Sequence, residues 1–161
     1  MSASIFQDIK SSIRQLYLED KRPWLVGFSG GKDSTMLASL IFDAVLAIPA
    51  EQRKKPISVL CTDTRVEIPA IAEMIEGTLD RMRKCSQQHN LNIEANHVAP
   101  GFSPAPPDAG LKAGATIEET FWVNIIGRGY PPPNRTFRWC TQRMKIDPVN
   151  ALVKQRVGNS L

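Results

Sequence analysis

The chain has 161 residues, of which 42% are hydrophobic and 22% are charged, as expected for one globular domain that buries its own core. Its three widely spaced cysteines, Cys61, Cys85 and Cys140, include no CxxC pair, which argues against a disulfide framework or a zinc site and favours a reducing cytoplasm. No segment approaches the roughly 20 apolar residues of a membrane helix, and the net charge of +4 favours anionic partners.

Helical and strand patterns alternate from the start of the chain. The predicted elements in chain order are a helix over 4–20, a strand over 24–28, a helix over 33–48, a strand over 57–62, a helix over 69–89 and a strand over 91–98. Such alternation predicts the α/β class, with a mostly parallel sheet flanked by helices. Ligands of these sheets bind beyond the carboxyl ends of the strands, where the polar clusters 29–34 and 62–67 fall.

The remainder of the chain has weaker patterns. Proline and glycine predict a mobile loop over about 99–115, and Thr116 with Glu119 forms a capping box for a further helix. A last helix is expected from Pro148 to about Arg156. We therefore expect a single domain over 1–157, with 158–161 as a frayed end and a potential truncation point.

The segment Ser29-Gly-Gly-Lys-Asp-Ser34 joins the first predicted strand to the next helix. Backbone N–H groups are unpaired at a helix start and form a site for an anion, and the two glycines permit a tight turn and close approach of a ligand. Phosphate is the expected ligand. The Walker A pattern is absent, and Asp33 would repel phosphate unless a metal ion intervenes. The alternative is an ordinary tight turn with Asp33 as the helix cap.

This segment resembles the PP-loop of the N-type ATP pyrophosphatases, which bind ATP and release pyrophosphate. The stretches Thr62-Asp-Thr-Arg-Val-Glu-Ile-Pro69 and Arg138-Trp-Cys-Thr-Gln-Arg-Met-Lys-Ile-Asp-Pro148 are similar to the branch of that family that contains phosphoadenylyl-sulfate (PAPS) reductases. Together with the stretch over 119–133, the second is similar to the DndC-type sulfurtransferases of DNA phosphorothioation. The resemblance covers roughly 20–156 and implies an adenine nucleotide alpha-hydrolase-like (HUP/Rossmann-like) fold.

The resemblance also implies roles for individual residues. The pyrophosphate of ATP would be held by Ser29, Gly30, Gly31, Lys32, Asp33 and Ser34, with Asp33 reaching Mg²⁺. The adenosine would be bound by Thr62, Asp63 and Thr64, although Asp63 would equally serve to hold its own turn. Lys32 and Asp33 are also expected to be catalytic.

Basic residues and a cysteine near the end of the chain complete the predicted site. Lys145 and Arg138 would neutralise charge that develops at the α-phosphate; the alternative is that they are solvated or pair with Asp147 and Glu119. Cys140, flanked by cations, would accept sulfur or ligate an iron–sulfur cluster. Three cysteines cannot supply a four-cysteine cluster, so either the chain is a fragment or it needs none.

The resemblance thus predicts an ATP pyrophosphatase that forms AMP and pyrophosphate with Mg²⁺ and activates a DNA backbone phosphate for sulfur incorporation. Its expected partners are DNA, a cysteine desulfurase, other phosphorothioation proteins and further copies of itself, with no membrane. The alternatives are a PAPS or APS reductase, in which Cys140 would be the attacking thiol, and a non-catalytic ATP-sensing subunit. Five aromatic residues in the basic region are candidates for base stacking or for lining a substrate groove: Phe121, Trp122, Tyr130, Phe137 and Trp139. Core packing is the simpler explanation for Phe121 and Trp122.

Overall fold

The computed structural model describes residues 2–99 and 120–158 of the chain. Its first elements are α1 (Ser2–Glu19), β1 (Trp24–Gly27), α2 (Lys32–Leu46), a 3₁₀ turn (Ala50–Gln52), β2 (Ile57–Thr62), α3 (Pro69–Gln88) and β3 (Ile93–Val98). They are followed by a π-helix (Val123–Gly127), α4 (Trp139–Thr141), a second π-helix (Gln142–Ile146) and α5 (Asp147–Gly158). Apart from residue 99, the predicted loop over 99–115 lies outside the described residues, as does the capping box at Thr116 and Glu119.

The three strands form one sheet in the order β1-β2-β3. β1 pairs with β2 in parallel, with Trp24 opposite Ile57 and Gly27 opposite Leu60. β3 also runs parallel to β2, because the backbone bonds from Ile57 N to Asn92 O and from Asp63 N to Val98 O advance along both strands together. This confirms an α/β protein with a parallel sheet flanked by helices. The strand order is that of one half of a doubly wound sheet.

The chain divides into two compact units. The first comprises residues up to Cys61 together with Ala70–Asn96, and contains α1, α2, nearly all of α3 and most of the sheet. The second comprises Thr62–Pro69 and the chain from His97 onward, and contains the two π-helices, α4 and α5. The predicted site residues are therefore divided, with the loop Ser29–Ser34 in the first unit and the basic residues of the C-terminal region in the second.

The core of the first unit lies between the sheet and its helices. β2 is the central strand, and Ile57–Cys61 are all buried. Burial alternates along β1 and along the first part of β3, where Ile93 and Ala95 are buried. The two helices that connect the strands, α2 and α3, pack on the sheet. Their buried side chains include Phe42 and Val45 from α2 and Ile75 and Leu79 from α3. Cys61 belongs to this core, as its position in a buried strand predicts.

The apolar stripe of α1 is less buried than its helical spacing suggests. Tyr17 is 2% exposed, but Ile5 and Leu16 are 59% and 55% exposed. Only the last part of the stripe reaches the core, where Ile13 and Tyr17 pack. Periodicity shows which residues share a helix face, but it does not show how much of that face a neighbouring element covers.

A buried lysine anchors the end of α1. The side chain of Lys55 is 3% exposed, and its Nζ bonds Asp20 Oδ1 at 2.9 Å and Leu16 O at 3.2 Å. The ammonium also lies 4.9 Å from the ring centre of Trp24 and 5.4 Å from that of Tyr17. Hydrogen bonds from Lys55 and then from Arg22 lower the pKa of Asp20 to about 2.

Asp20→Asn is expected to lower the stability of the fold near neutral pH but not near pH 2. The pKa of Asp20 is lower in the folded chain than in the unfolded chain, so its carboxylate stabilises the fold near neutral pH, and this contribution disappears as the pH falls from about 4 to about 2. Thermal unfolding should show a Tm difference between the two proteins that is largest at pH 6–7 and absent near pH 2. Asp8→Asn on the exposed face of α1 is the control. An Asp20→Asn difference that persists unchanged at pH 2 would contradict this assignment.

Candidate functional site

The loop that follows β1 turns sharply into α2. Phe28 N donates to Leu60 O at 2.8 Å, so pairing with β2 continues to residue 28. Gly30 then has φ +73°, and Gly31 is extended at the N-cap of α2. The first bond of the helix runs from Thr35 N to Gly31 O at 3.0 Å. The N–H groups of residues 32–34 precede that bond, as the first amides of any helix do, and point out of its N-terminus.

The two serines of the loop hold its shape. Ser34 Oγ donates to Gly31 O at 3.0 Å and accepts from Ser29 N at 3.3 Å. The hydroxyl oxygens of Ser29 and Ser34 lie 3.1 Å apart. Both hydroxyls therefore have partners within the loop. Direct contacts to an anion would come from the backbone amides and from the ammonium group of Lys32.

The two glycines have different surroundings. A Cβ on Gly30 would lie 2.6 Å from Ile75 Cγ1 and 3.1 Å from Ile75 Cδ1, both on a buried side chain of α3. A Cβ on Gly31 would lie 3.5 Å from Ser29 Oγ and within 4 Å of no other atom in the part of the chain that the structure describes. Gly30 thus allows the loop to pack against α3 in a left-handed conformation that other residues rarely adopt. Gly31 leaves the exposed side of the loop open to a ligand.

Lys32 and Asp33 lie exposed in the first turn of α2. The N-cap is Gly31, and it has no side-chain capping bond. Asp33 is therefore not the N-cap residue, although its charge is favourable in the first turn of the helix. Within residues 2–99 and 120–158, neither Lys32 nor Asp33 has a hydrogen-bond or ion-pair partner. A cation and a carboxylate are thus both available at the positive end of a helix.

The turn that follows β2 belongs to the second unit and is internally bonded. Asp63 Oδ1 accepts from Arg65 N at 2.8 Å, and Arg65 adopts a left-handed φ of 56°. Thr64 Oγ1 donates to Glu67 Oε1 at 2.6 Å. Asp63 and Thr64 therefore hold their own turn, as the structural alternative for Asp63 requires. Binding of adenosine by these residues and by the half-buried Thr62 stays a prediction.

Lys145 lies close enough to this turn to affect its charge. Partial burial alone would raise the pKa of Glu67, but hydrogen bonds from Thr64 and the backbone, together with the positive charge of Lys145, outweigh it and lower that pKa. The second unit thus brings one of the predicted catalytic cations near the turn predicted to bind adenosine. Arg138 is exposed and precedes α4, and Cys140 is half-buried within it.

The cysteines do not form a metal site among the described residues. Cys61 in β2 and Cys85 in α3 belong to the first unit, and Cys140 belongs to the second. No group of three His, Cys, Asp or Glu side chains in the part of the chain that the structure describes is arranged to hold a metal ion. An iron–sulfur cluster does not fit this cysteine set. Transfer of sulfur through Cys140 stays a prediction.

Three features of the site were not predicted. Gly30 and Ile75 pack together although they are far apart in the sequence, and no local sequence pattern predicts this contact. The π-helix over Gln142–Ile146 carries Arg143 and Lys145 in a segment for which no helix was predicted. The third feature is the stacking of Phe121 and Tyr130 on Trp139, for which the concentration of aromatic residues over 121–139 is the available signal.

Fold and loop together define an α/β protein whose glycine-rich loop opens a helix at the carboxyl end of a parallel strand. No family model matches the chain, and no solved structure matches it. The chain is 24% identical over 143 residues to the uncharacterized protein MJ0066 of Methanocaldococcus jannaschii, in an alignment that covers 89% of this chain and 22% of that protein. It thus spans about a fifth of the relative's length.

That relative has no described activity, so the similarity transfers none to this chain. None of the helices within residues 2–99 and 120–158 is both long and apolar enough to span a bilayer. A function for the chain therefore has to be argued from the loop and from the charges around it.

Proposed function

We propose that the chain binds ATP through the loop Ser29–Ser34, hydrolyses it to AMP and pyrophosphate with Mg²⁺, and thereby activates a DNA backbone phosphate for sulfur incorporation. The observation that carries the ATP part is the exposed pair Lys32 and Asp33, which has no partner among the described residues, beside the first amides of α2. The DNA part rests on the sequence resemblance and on the basic composition of residues 120–158, where Asp147 is the only acidic residue.

The loop is suited to the β- and γ-phosphates. The amides of residues 32–34 precede the first helical bond and donate to an anion at the helix start. Lys32 adds a flexible ammonium group, and Gly31 presents no side chain on the exposed side. The site also lies at the carboxyl end of β1, where parallel sheets bind ligands. A triphosphate is thus favoured over a neutral ligand.

Asp33 is the residue that would hold Mg²⁺. This ion commonly keeps several waters and binds through one or two carboxylates plus substrate phosphates. A single exposed carboxylate beside a phosphate site fits that requirement, whereas a site built from protein ligands alone is absent among the described residues. When bound, Mg²⁺ neutralises phosphate charge and stabilises the leaving pyrophosphate.

The proposed reaction begins when a non-bridging oxygen of a DNA phosphodiester attacks the α-phosphorus of ATP. The bond to the β-phosphate breaks, pyrophosphate leaves, and AMP is joined to the DNA phosphate. Cys140 is proposed to receive sulfur from a cysteine desulfurase partner as a persulfide. The outer sulfur attacks the DNA phosphorus, the bond to AMP breaks and AMP leaves. Two molecules of a thiol reductant then cleave the S–S bond, which releases the phosphorothioate and the Cys140 thiol and forms the disulfide of the reductant. Lys145 and Arg138 are the proposed sources of positive charge for the transfer step.

The products of ATP turnover test this proposal. The protein is incubated with Mg²⁺, DNA, a cysteine desulfurase and ATP labelled at the α-phosphate, and the nucleotides are separated by thin-layer chromatography while pyrophosphate is assayed enzymatically. AMP and pyrophosphate in equal amounts are the expected result. ADP as the product, or no turnover despite ATP binding, would contradict the proposal and favour an ATP-sensing subunit. Release of sulfite from PAPS would instead favour a reductase.

Lys145→Ala is expected to lower the rate of pyrophosphate release by about 100-fold, as loss of one transition-state donor does. The Kd for ATP should change by less than about threefold, because the charge is proposed to act on the transition state. Single-turnover rates and equilibrium binding measure the two quantities. Lys154→Ala, at an exposed position of α5, is the matched control. Equal losses in rate and ATP affinity would contradict a role in the chemical step.

A further inference from the structure

A fixed stack of aromatic rings lies within the second unit. The rings of Phe121 and Tyr130 stack on Trp139, with centroids 5.5 and 5.2 Å from it and interplanar angles of 17° and 23°. Trp139 is 8% exposed, and its Nε1 donates to Pro131 O at 3.0 Å. The indole is therefore held by contacts with two neighbouring rings and by a hydrogen bond at its edge.

Two further aromatic side chains of this segment are exposed to solvent. Trp122 packs edge-on against Phe121 at 5.4 Å and is 54% exposed. Phe137 is 43% exposed and lies two residues before Trp139, the first residue of α4. Asn134 Oδ1 accepts from the backbone N of Phe137 at 2.9 Å. The expectation that core packing accounts for Trp122 is therefore wrong. Exposed rings on a fixed support can stack on a ligand with little loss of conformational entropy.

The segment that carries these rings is basic. Residues 120–158 contain seven Lys and Arg residues and one acidic residue, Asp147. Arg135 and Arg138 flank Phe137 in sequence and are exposed, and neither guanidinium group has a hydrogen-bond or ion-pair partner among the described residues. The guanidinium of Arg143 lies 5.1 Å from the ring centre of Tyr130.

We infer that Trp122, Phe137, Arg135 and Arg138 form a binding surface for single-stranded DNA, here called the aromatic–basic surface. Aromatic rings stack on bases of any sequence, and arginines neutralise the phosphates between them. A duplex hides the faces of its bases, so the exposed rings favour a single strand. The charge and the rings alone indicate a single-stranded nucleic acid, and the choice of DNA rests on the proposed function.

Fluorescence anisotropy with a labelled 15-nucleotide thymidine strand, in the absence of ATP, tests the aromatic part. Trp122→Ala should weaken binding by about 5- to 150-fold, the range found for loss of a stacked base, and Trp122→Phe should restore it to within about threefold of the wild type. Phe137→Ala should also weaken binding. Phe6→Ala in α1 removes a ring of similar exposure (44%) and should have no effect. Retention of the wild-type Tm shows that each variant is folded.

Salt dependence tests the basic part. The double variant Arg135→Gln/Arg138→Gln should reduce the slope of log Kd against log salt by about 1.4, since each single-strand phosphate contact contributes about 0.7. Lys84→Gln on exposed α3 is the control and should leave the slope unchanged.

Four results would overturn the inference. The first is that the thymidine strand does not bind at low salt. The second and third are that the duplex of the same sequence, or the RNA strand of the same length, binds more tightly than the thymidine strand. The fourth is that the protein forms a dimer that Trp122→Ala dissociates. The last would assign the surface to a second copy of the chain. Strand binding without pyrophosphate release would contradict only the proposed function, and pyrophosphate release without strand binding would contradict only the aromatic–basic surface.

Discussion

Gly30→Ala is expected to lower the free energy of unfolding by about 2–4 kcal/mol. The substitution forces a side chain into a left-handed conformation at φ +73° and places its Cβ 2.6 Å from Ile75 Cγ1. Neither effect can be relieved cheaply, because Ile75 is buried against the core. Urea unfolding at constant m-value measures the change through the midpoint. Gly30→Ala should also abolish ATP binding, since the loop must move.

The variant Gly31→Ala is expected to weaken ATP binding while leaving the stability of the fold nearly unchanged. Its φ of −75° suits alanine, and the added Cβ meets only Ser29 Oγ at 3.5 Å, so stability should change by less than about 1 kcal/mol. The same Cβ stands on the side where phosphate is proposed to approach, and the Kd for ATP should rise at least about tenfold, the equivalent of one lost hydrogen bond. Gly77→Ala in α3, where the Cβ meets nothing within 4 Å, is the control. Wild-type stability of Gly30→Ala would disprove the packing role.

Lys32→Ala and Asp33→Ala are each expected to reduce pyrophosphate release by at least about 100-fold while the chain stays folded. Both side chains are exposed and have no partner among the described residues, so their loss removes no internal contact there. The cost in stability should be within about 0.5 kcal/mol for Lys32 and within about 1 kcal/mol for Asp33, which favours the helix N-terminus electrostatically. A coupled pyrophosphate assay and thermal unfolding measure the two effects.

The two variants should differ in their response to Mg²⁺. Asp33→Ala is expected to need more of the ion for half-maximal residual activity, whereas Lys32→Ala should keep the wild-type requirement, because only the carboxylate is proposed to bind the ion. Lys84→Ala and Asp8→Asn replace exposed charges elsewhere in the first unit and should leave activity unchanged. Normal turnover in either Lys32→Ala or Asp33→Ala would show that the loop does not bind the reacting nucleotide.

Much of the sheet could be predicted from the sequence because the signals are local. The apolar run of β2 matches its predicted bounds, and α3 begins at Pro69, whose fixed φ suits a first helical position. Strand ends and helix starts were placed within about two residues for the same reason. The helix expected after Thr116 includes the first π-helix, whereas no helix was predicted over the second. The π geometry was missed in both, because its hydrogen bonds span five residues and leave no common apolar period.

Local sequence patterns predict only part of the structure of the loop Ser29–Ser34. The sequence indicates an anion site, since two glycines precede a helix start. It does not distinguish the two glycines, because the contact of Gly30 with Ile75 depends on tertiary packing. The serine hydroxyls were expected to face a ligand, yet in the structure they bond within the loop. Exposure of Trp122 was missed for a similar reason, since its surroundings are set by the stack on Trp139.

A crystal structure with α,β-methylene ATP and Mg²⁺ is the most direct test, since this analogue cannot be cleaved between the α- and β-phosphates. We expect β- or γ-phosphate oxygens within about 2.7–3.2 Å of the amides of residues 32–34, with the ammonium of Lys32 on the same phosphates and Asp33 beside the metal. An analogue bound elsewhere, with the loop Ser29–Ser34 making no contact to phosphate, would contradict the assignment of this chain as an ATP-binding protein of the proposed type.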